Sequence, residues 1–108
     1  MTYAAANLQD HSDIEALIRE EVAAWNRGDA AAFAARTLPD VLFTNVVGRF
    51  SVGRGPFLAQ HEHIFSTIYK GSHLTQKIEN LAFVRSDVAI LDTLTSGLSG
   101  TSAGRYCL

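Results

Sequence analysis

Cysteine, proline and blocks of like charge are scarce in this sequence. The chain has one cysteine and two prolines, and nine basic residues against eleven acidic ones give a formal net charge of -2. Cys107 has no partner for an intrachain disulfide, which is compatible with a reducing cytosol. Because the basic residues are spread along the chain without a cluster, we expect no nucleic-acid partner.

Long apolar runs and the familiar catalytic motifs are also missing. No stretch approaches the roughly 20 apolar residues that a membrane helix needs, and the start, MTYAAANLQDHSD, lacks the regions of a signal peptide. We therefore expect a cytoplasmic protein with no membrane partner. The absence of P-loop, GxGxxG, GxSxG and HExxH motifs argues against nucleotide binding, serine hydrolysis and zinc proteolysis.

The chain is long enough for one domain with one core. It has 108 residues, of which 47% are hydrophobic and 19% charged, a composition that can bury a core. We predict a single domain over residues 1–108, with a loose N-terminal arm at 1–11 and an irregular tail at 97–108.

Three segments have the features of helices. Ser12 and Glu15 can form a capping box, and an apolar stripe with spacings of three and four follows it: Ile14, Leu17, Ile18, Val22 and Trp25. Gly28 can end this helix, and Asp29 can cap a second, over 30–36. Pro56 suits the start of a third helix, which Gly71 ends.

The stretch 41–54 reads VLFTNVVGRFSVGR and predicts a β-hairpin with a primed turn at Gly48. Two longer strands, 72–84 and 88–96, are separated by a turn-like tripeptide. Short connections favour antiparallel neighbours. Together these elements predict an α+β fold with helices on one face of an antiparallel sheet.

Four polar residues lie at positions where the pattern is otherwise apolar. Glu21 falls near the centre of the first helical stripe: it either reaches water at the rim of the core or lies in a pocket, where burial would raise its pKa. His61 faces inward on the third helix and is either a core residue or a catalytic group. Asn45 shares a face with apolar strand neighbours, and Asp92 is either solvated or closes a pocket.

A metal site is not expected from these residues. His61 and His63 are two positions apart, whereas helical ligands need spacings of three or four to share a face. His11 and His73 have no companions at metal spacing. We expect neither a metal nor a cofactor.

The order of these segments resembles a known family. Trp25-Asn26-Arg27-Gly28-Asp29, then Pro39-Asp40, the hairpin and Gly53-Arg54 are similar to the SnoaL-like, ketosteroid-isomerase-like branch of the nuclear-transport-factor-2-like superfamily. The resemblance covers about 13–96. It implies a cone-shaped α+β barrel, with three helices packed on a curved antiparallel sheet, an apolar pocket and a dimer through the sheet. We expect the family's last strands to be missing.

The resemblance also assigns positions in the pocket. Asn45 stands where ketosteroid isomerases have their aspartate base, Glu21 where they have a tyrosine, and His61 near a second tyrosine. None of these residue types is kept, so we predict a different catalytic pair, Glu21 and His61, which pair across the pocket so that the carboxylate raises the pKa of the histidine. The predicted ligand-binding residues are Trp25, Phe43, Asn45, Phe65 and Asp92.

Two functions follow from this interpretation. The first is binding of a small, mostly apolar ligand of polyketide, terpenoid or steroid type, with cofactor-independent proton transfer (isomerisation, dehydration, cyclisation or hydration) as the reaction class. The alternative is a non-catalytic dimerisation or association module of the same fold, with a filled interior. In both cases we expect a homodimer, because an exposed sheet edge favours pairing.

Overall fold

A computed structural model describes residues 8–98 and 102–107. The elements follow in this order: α1 (Leu8–Asn26), α2 (Ala30–Ala34), β1 (Leu42–Thr44), β2 (Phe50–Val52), α3 (Arg54–Ser66), β3 (Thr75–Arg85), β4 (Val88–Leu98) and β5 (Ser102–Cys107). Helices and antiparallel sheets confirm the predicted α+β class. Among the described residues, no helix is long and apolar enough to cross a bilayer.

Helix α1 begins earlier than the sequence predicted. It starts at Leu8 instead of Ser12, so the prediction of a loose arm is wrong for residues 8–11, and residues 1–7 lie outside the described part. A hydrogen bond from Gln9 to Asp13, at 2.8 Å, joins side chains one turn apart in this segment. The buried positions of α1 are Ile18, Ala24 and Trp25.

The turn between α1 and α2 follows from Gly28 and Asp29. Gly28 has a φ of 69°, a left-handed conformation that glycine adopts at little cost. The Asp29 carboxylate accepts a hydrogen bond from the Ala32 N–H at 3.0 Å and caps α2. Helix α2 ends at Ala34, two residues before the predicted end.

The hairpin forms where predicted but with a longer loop. Leu42 pairs with Val52 and Thr44 with Phe50. The Gly48 N–H donates to the Asn45 carbonyl at 3.0 Å, and Gly48 has a φ of 84°. The turn spans residues 45–48 and its last residue is the left-handed glycine, so the predicted two-residue primed turn is wrong.

Arg54 connects α3 to the segment before the hairpin. Its backbone N–H donates to the Pro39 carbonyl at 3.0 Å, and its guanidinium donates to the Thr37 carbonyl, with Nε at 2.9 Å. These bonds give the Gly53-Arg54 pair of the sequence a structural role. They hold the first turn of α3 against the chain that leaves α2.

Strands β3, β4 and β5 form one antiparallel sheet in that order. The predicted irregular tail is wrong for most of 97–108, because β4 runs to Leu98 and β5 pairs with it, with Thr93 opposite Tyr106. Residues 99–101 and 108 lie outside the described part. The low-pattern sequence of the tail still forms a strand, since ladder bonds use backbone groups that every residue here supplies. The cone-shaped barrel stays a prediction.

The core is an aromatic cluster between α1, α3 and the start of β3. Trp25 packs edge-on against Phe65, with ring centroids 4.7 Å apart. Its indole N–H donates to Ser72 Oγ at 3.0 Å, so the buried ring keeps its polar group satisfied. Leu74 is buried in the same cluster. The cluster fixes α1 and α3 relative to each other.

Candidate functional site

A cavity of about 570 Å³ lies between the helices, the hairpin and the sheet. Its polar wall residues come from α1, the hairpin, α3 and the sheet: Glu21, Thr44, Asn45, Gln60, His61, Gln76 and Thr95. Its aromatic wall residues are Trp25, Phe33, Phe43 and Tyr69. The volume is in the range of small-molecule sites.

The mouth of the cavity has an apolar rim. Four aliphatic wall residues are also more than half exposed: Leu42, Val46, Val47 and Ile68. Three of them belong to the hairpin. The hairpin thus forms one side of the mouth. An apolar molecule that entered there would stay in contact with apolar side chains.

His61 lies on this wall among aromatic rings. It is only 3% exposed, and the centroids of Phe57, Phe33 and Phe43 are 4.4, 4.7 and 5.4 Å from that of its ring. Helix α3 places Phe57 one turn before His61, on the same face. The imidazole is therefore held in one orientation by packing.

The tautomer of His61 follows from its hydrogen bond. Nδ1 lies 2.8 Å from the Phe57 carbonyl oxygen. Because a carbonyl can only accept, Nδ1 carries the proton and donates it. Burial lowers the pKa of His61, and the bond to Phe57 opposes this to a lesser extent. In the neutral ring Nε2 is consequently an unprotonated acceptor.

Glu21 lies on the same wall, and its carboxyl has an unusual proton affinity. Burial raises the pKa of Glu21 from its ordinary value of 4.5 to about 7. At neutral pH a large share of this carboxyl is protonated and able to donate. The sequence placed Glu21 and His61 in one pocket, and both side chains do line the cavity.

The predicted pairing of Glu21 with His61, with its raised histidine pKa, is wrong. The described residues contain no ion pair between them, and the pKa of His61 is lowered, whereas a carboxylate partner would raise it. Burial favours the neutral form of each group. The two side chains line the same cavity without an ion pair between them.

Asn45 lines the cavity, but its side-chain oxygen has a structural role. Oδ1 accepts hydrogen bonds from the N–H groups of Val47, at 3.1 Å, and Arg49, at 2.9 Å. These bonds close the hairpin loop, as asparagine does in many turns. Only the amide nitrogen of Asn45 is left to face a ligand.

Phe65 does not line the cavity, so its predicted ligand contact is wrong. It packs edge-on against Trp25 in the core and borders a shallow surface depression beside Gly28 and Asp29. Phe65 is one turn after His61 on α3, but it faces Trp25 on α1. Trp25 covers it from the cavity side.

Asp92 does not reach the cavity either, and its predicted role is wrong. It is exposed, and its Oδ2 accepts from Asn80 Nδ2 at 3.4 Å. The alternate residues of β4, Thr93 and Thr95, are each 1% exposed and therefore form the inner face. Successive side chains of a strand point to opposite faces, so Asp92 points outward.

Four polar wall residues were not found from the sequence: Thr44, Gln60, Gln76 and Thr95. Gln60 precedes His61 on α3, while Gln76 and Thr95 are opposite each other in the β3–β4 register. Gln76 and Thr95 could have been found if the inner face of the sheet were known, because two polar residues then lie opposite each other on that face.

No cluster of three or more histidine, cysteine, aspartate or glutamate side chains with metal-binding geometry occurs in the described part of the chain.

Solved structures with the same fold come from several bacteria. A domain of unknown function with a cystatin-like fold from Nostoc punctiforme PCC 73102 is 27% identical, with a TM-score of 0.79, over 94% of this chain and 68% of that chain. An NTF-2-like protein of unknown function from Shewanella oneidensis MR-1 is 22% identical, with a TM-score of 0.77, over 91% of this chain and 84% of that chain. A ketosteroid isomerase-like protein from Erwinia carotovora atroseptica SCRI1043 is 16% identical, with a TM-score of 0.68, over 94% of this chain and 79% of that chain.

Searches with the sequence find no matching protein-family model and no matching curated protein. The structural neighbours nevertheless confirm the resemblance at the level of the fold. This chain has the nuclear-transport-factor-2-like fold, which is shared with a ketosteroid isomerase-like protein.

Proposed function

We propose that the cavity binds a small, mostly apolar molecule with a hydroxyl or carbonyl group, and that Glu21 and His61 transfer protons to and from it without a cofactor. The observation that carries this proposal is that a carboxyl of raised pKa and a neutral imidazole face one cavity of about 570 Å³. Perturbed titrating groups in a cleft are typical of catalytic sites.

In this proposal His61 is the base. Its Nδ1–H donates to the Phe57 carbonyl, so Nε2 holds the free electron pair. A pKa below the ordinary value of 6.5 keeps the imidazole neutral and ready to accept a proton at pH 7. The surrounding Phe33, Phe43 and Phe57 rings exclude water and keep the imidazole in place.

Glu21 is the acid in the same scheme. With a pKa of about 7, the carboxyl can donate a proton at neutral pH and take one back in the next turnover. General acid–base groups of this kind contribute on the order of 10²–10⁴ in rate. Isomerisation, dehydration, cyclisation and hydration all use such an exchange, and this fold also occurs in a protein described as ketosteroid isomerase-like.

The wall supports a ligand of polyketide, terpenoid or steroid type. Trp25, Phe33, Phe43 and Tyr69 provide flat apolar surface for rings. The alternative function, an association module, required a filled interior. An open cavity favours ligand binding over that alternative.

The test uses 5-nitrobenzisoxazole, an apolar carbon acid whose ring opens when a base removes its C3 proton. His61 Nε2 would take that proton, the C–H electron pair would form the nitrile, and the N–O bond would break to leave a coloured phenolate. We expect the wild type to react faster than buffer alone. The rate enhancement by His61→Ala should be at least 100-fold smaller than that by the wild type.

The matched control is His63→Ala, on the same helix but exposed. It should react at the wild-type rate. The base role of His61 is overturned if His61→Ala keeps the wild-type rate, or if His63→Ala loses as much as His61→Ala.

We also propose that the protein is a homodimer through the outer face of the β3–β4 sheet. Val84, Val88 and Ile90 lie on that face with 39%, 41% and 53% of their surface exposed. The support for this proposal is that the three apolar side chains are neighbours on one sheet face, since contiguous apolar patches mark interaction sites. The proposal leaves the mouth of the cavity free, because the mouth lies at the hairpin.

A further inference from the structure

Two glutamines on the cavity wall each hold a buried oxygen that has no hydrogen-bond partner among the described residues. These atoms are Gln60 Oε1 on α3 and Gln76 Oε1 on β3. At the other end of its carboxamide, Gln76 Nε2 donates to Thr95 Oγ1 at 3.0 Å. Both glutamines line the cavity, and each holds within the wall a carboxamide oxygen that has no partner in the described part of the chain.

Unsatisfied buried oxygens of this kind are uncommon in folded proteins. Most buried polar atoms have a protein or water partner, and an orphan acceptor destabilises the fold. Where two residues of one cavity wall each hold such an oxygen, a turn of the carboxamide toward a bound molecule would supply the missing bonds. A site built to hydrogen-bond a group selects strongly against molecules that lack it.

We propose that the ligand of this cavity carries hydroxyl groups, and that Gln60 and Gln76 recognise them. This inference rests on the proposed function and narrows its ligand class, from any apolar molecule with a carbonyl or hydroxyl to a hydroxylated one. Gln60 and Gln76 are specificity-determining residues in this view and have no role in proton transfer.

The chemistry of a carboxamide favours a hydroxyl over other groups. The last torsion of glutamine is soft, so the carboxamide can turn and present either its oxygen or its NH₂ to the cavity. A hydroxyl pairs with both ends, because it donates and accepts. A ketone pairs only with NH₂, and a hydrocarbon with neither.

Glu21 adds to this preference. Its raised pKa shows that the cavity disfavours charge, so a neutral polar group enters at less cost than an ammonium or a carboxylate. Thr95 also lines the wall and anchors one end of the Gln76 carboxamide. The unpaired atoms and this preference for neutral groups both favour an alcohol.

The test compares 1-adamantanol with 1-methyladamantane, which differ by a hydroxyl in place of a methyl group. The chain has one tryptophan, Trp25, and it lines the cavity, so its fluorescence reports binding. For each protein we take the ratio of the two dissociation constants. Comparing this ratio between variants cancels the different hydrophobicity of the two compounds.

We expect Gln76→Leu and Gln60→Leu each to lower the preference for the alcohol about fivefold, the effect of one hydrogen bond. Thr93→Val is the matched control: its Oγ1 is also buried without a partner among the described residues, but it is not on the cavity wall. It should leave the ratio unchanged. Gln76→Met replaces Gln76→Leu if the branched side chain prevents folding.

The possible failures can be told apart. If both compounds bind and the ratio is the same in the wild type and both glutamine variants, the hydroxyl inference is overturned while ligand binding stands. If neither compound binds the wild type, ligand binding and the inference both fail. A ratio that falls equally in Thr93→Val also overturns the inference, because the wall position would then be irrelevant.

Discussion

Asn26 on α1 and Leu74, the residue before β3, are joined by two hydrogen bonds. Asn26 Nδ2 donates to the Leu74 carbonyl at 3.1 Å, and the Leu74 N–H donates to Asn26 Oδ1 at 2.8 Å. The asparagine side chain thus pairs with a backbone peptide as another strand would. Leu74 is also part of the cavity wall, so this pair connects the first helix to the site.

We expect Asn26→Ala to destabilise the protein by about 2 kcal/mol, because two partly buried hydrogen bonds are lost and two backbone groups stay unpaired. Urea unfolding monitored by circular dichroism measures this loss. Asn80→Ala is the control, since Asn80 is exposed and its 3.4 Å contact with Asp92 is long. Equal effects of both substitutions would contradict the structural role of Asn26.

Glu21 makes stability depend on pH in a defined direction. Its folded pKa of about 7 lies above the ordinary 4.5, so the folded state holds the proton more tightly. This contribution to stability is complete below pH 4.5 and is lost as the pH rises to about 7. At pH 8 we therefore expect Glu21→Gln to be more stable than the wild type, by about 2 kcal/mol after allowing for partial exposure.

Urea unfolding at pH 4.5, 6 and 8 measures this effect. The two proteins should differ least at pH 4.5, and the gap should grow with pH. Glu20→Gln is the control, because Glu20 is an exposed neighbour on α1. Parallel stability curves for Glu21→Gln and the wild type would show that the Glu21 carboxyl is solvated.

His61 acts in the opposite direction. Its folded pKa is lowered, so its contribution to stability is present above pH 6.5 and is lost as the pH falls through the folded value. Nitrogen-15 NMR should find the His61 pKa below 6.5 and the proton of the neutral ring on Nδ1, as the bond to Phe57 requires. A neutral ring protonated on Nε2 would remove the proposed base from the cavity.

Gly97 is expected to tolerate no side chain. Its φ is 91°, and a Cβ there would lie 2.9 Å from the His73 carbonyl oxygen. Gly97→Ala should cost about 1–3 kcal/mol through backbone strain and this close approach. Gly55→Ala is the matched control: nothing lies within 4 Å of its Cβ, and as a helical position it should gain up to about 1 kcal/mol.

The dimer proposal predicts that charge on the outer sheet face separates the protomers. Ile90→Lys places an ammonium in the proposed interface, so light scattering should give the mass of a monomer where the wild type gives that of a dimer. Val47→Lys is the control, because Val47 is 82% exposed but lies in the hairpin loop. A wild-type monomer at high concentration would rule out this interface.

The helical part of the site could be predicted from the sequence because helical spacing defines a face. Glu21 and His61 each lie within an apolar stripe, and both do face the cavity. The hairpin was found through Gly48, whose positive φ the loop requires. The length of the hairpin loop was not predicted correctly, because Gly48 suits both a primed turn and the longer turn that Asn45 closes.

What the sequence by itself determined is the three helices with their inward faces, the hairpin and the two long strands, because these depend on patterns within one segment. It did not determine β5, because the tail that forms this strand has no such pattern. Only the tertiary structure decided which face of β4 lines the cavity. Val88 and Ile90 made the outer face more apolar than the inner one, which holds Thr93 and Thr95. A two-residue period distinguishes two faces but does not say which one is covered, and the covering helices come from distant parts of the chain.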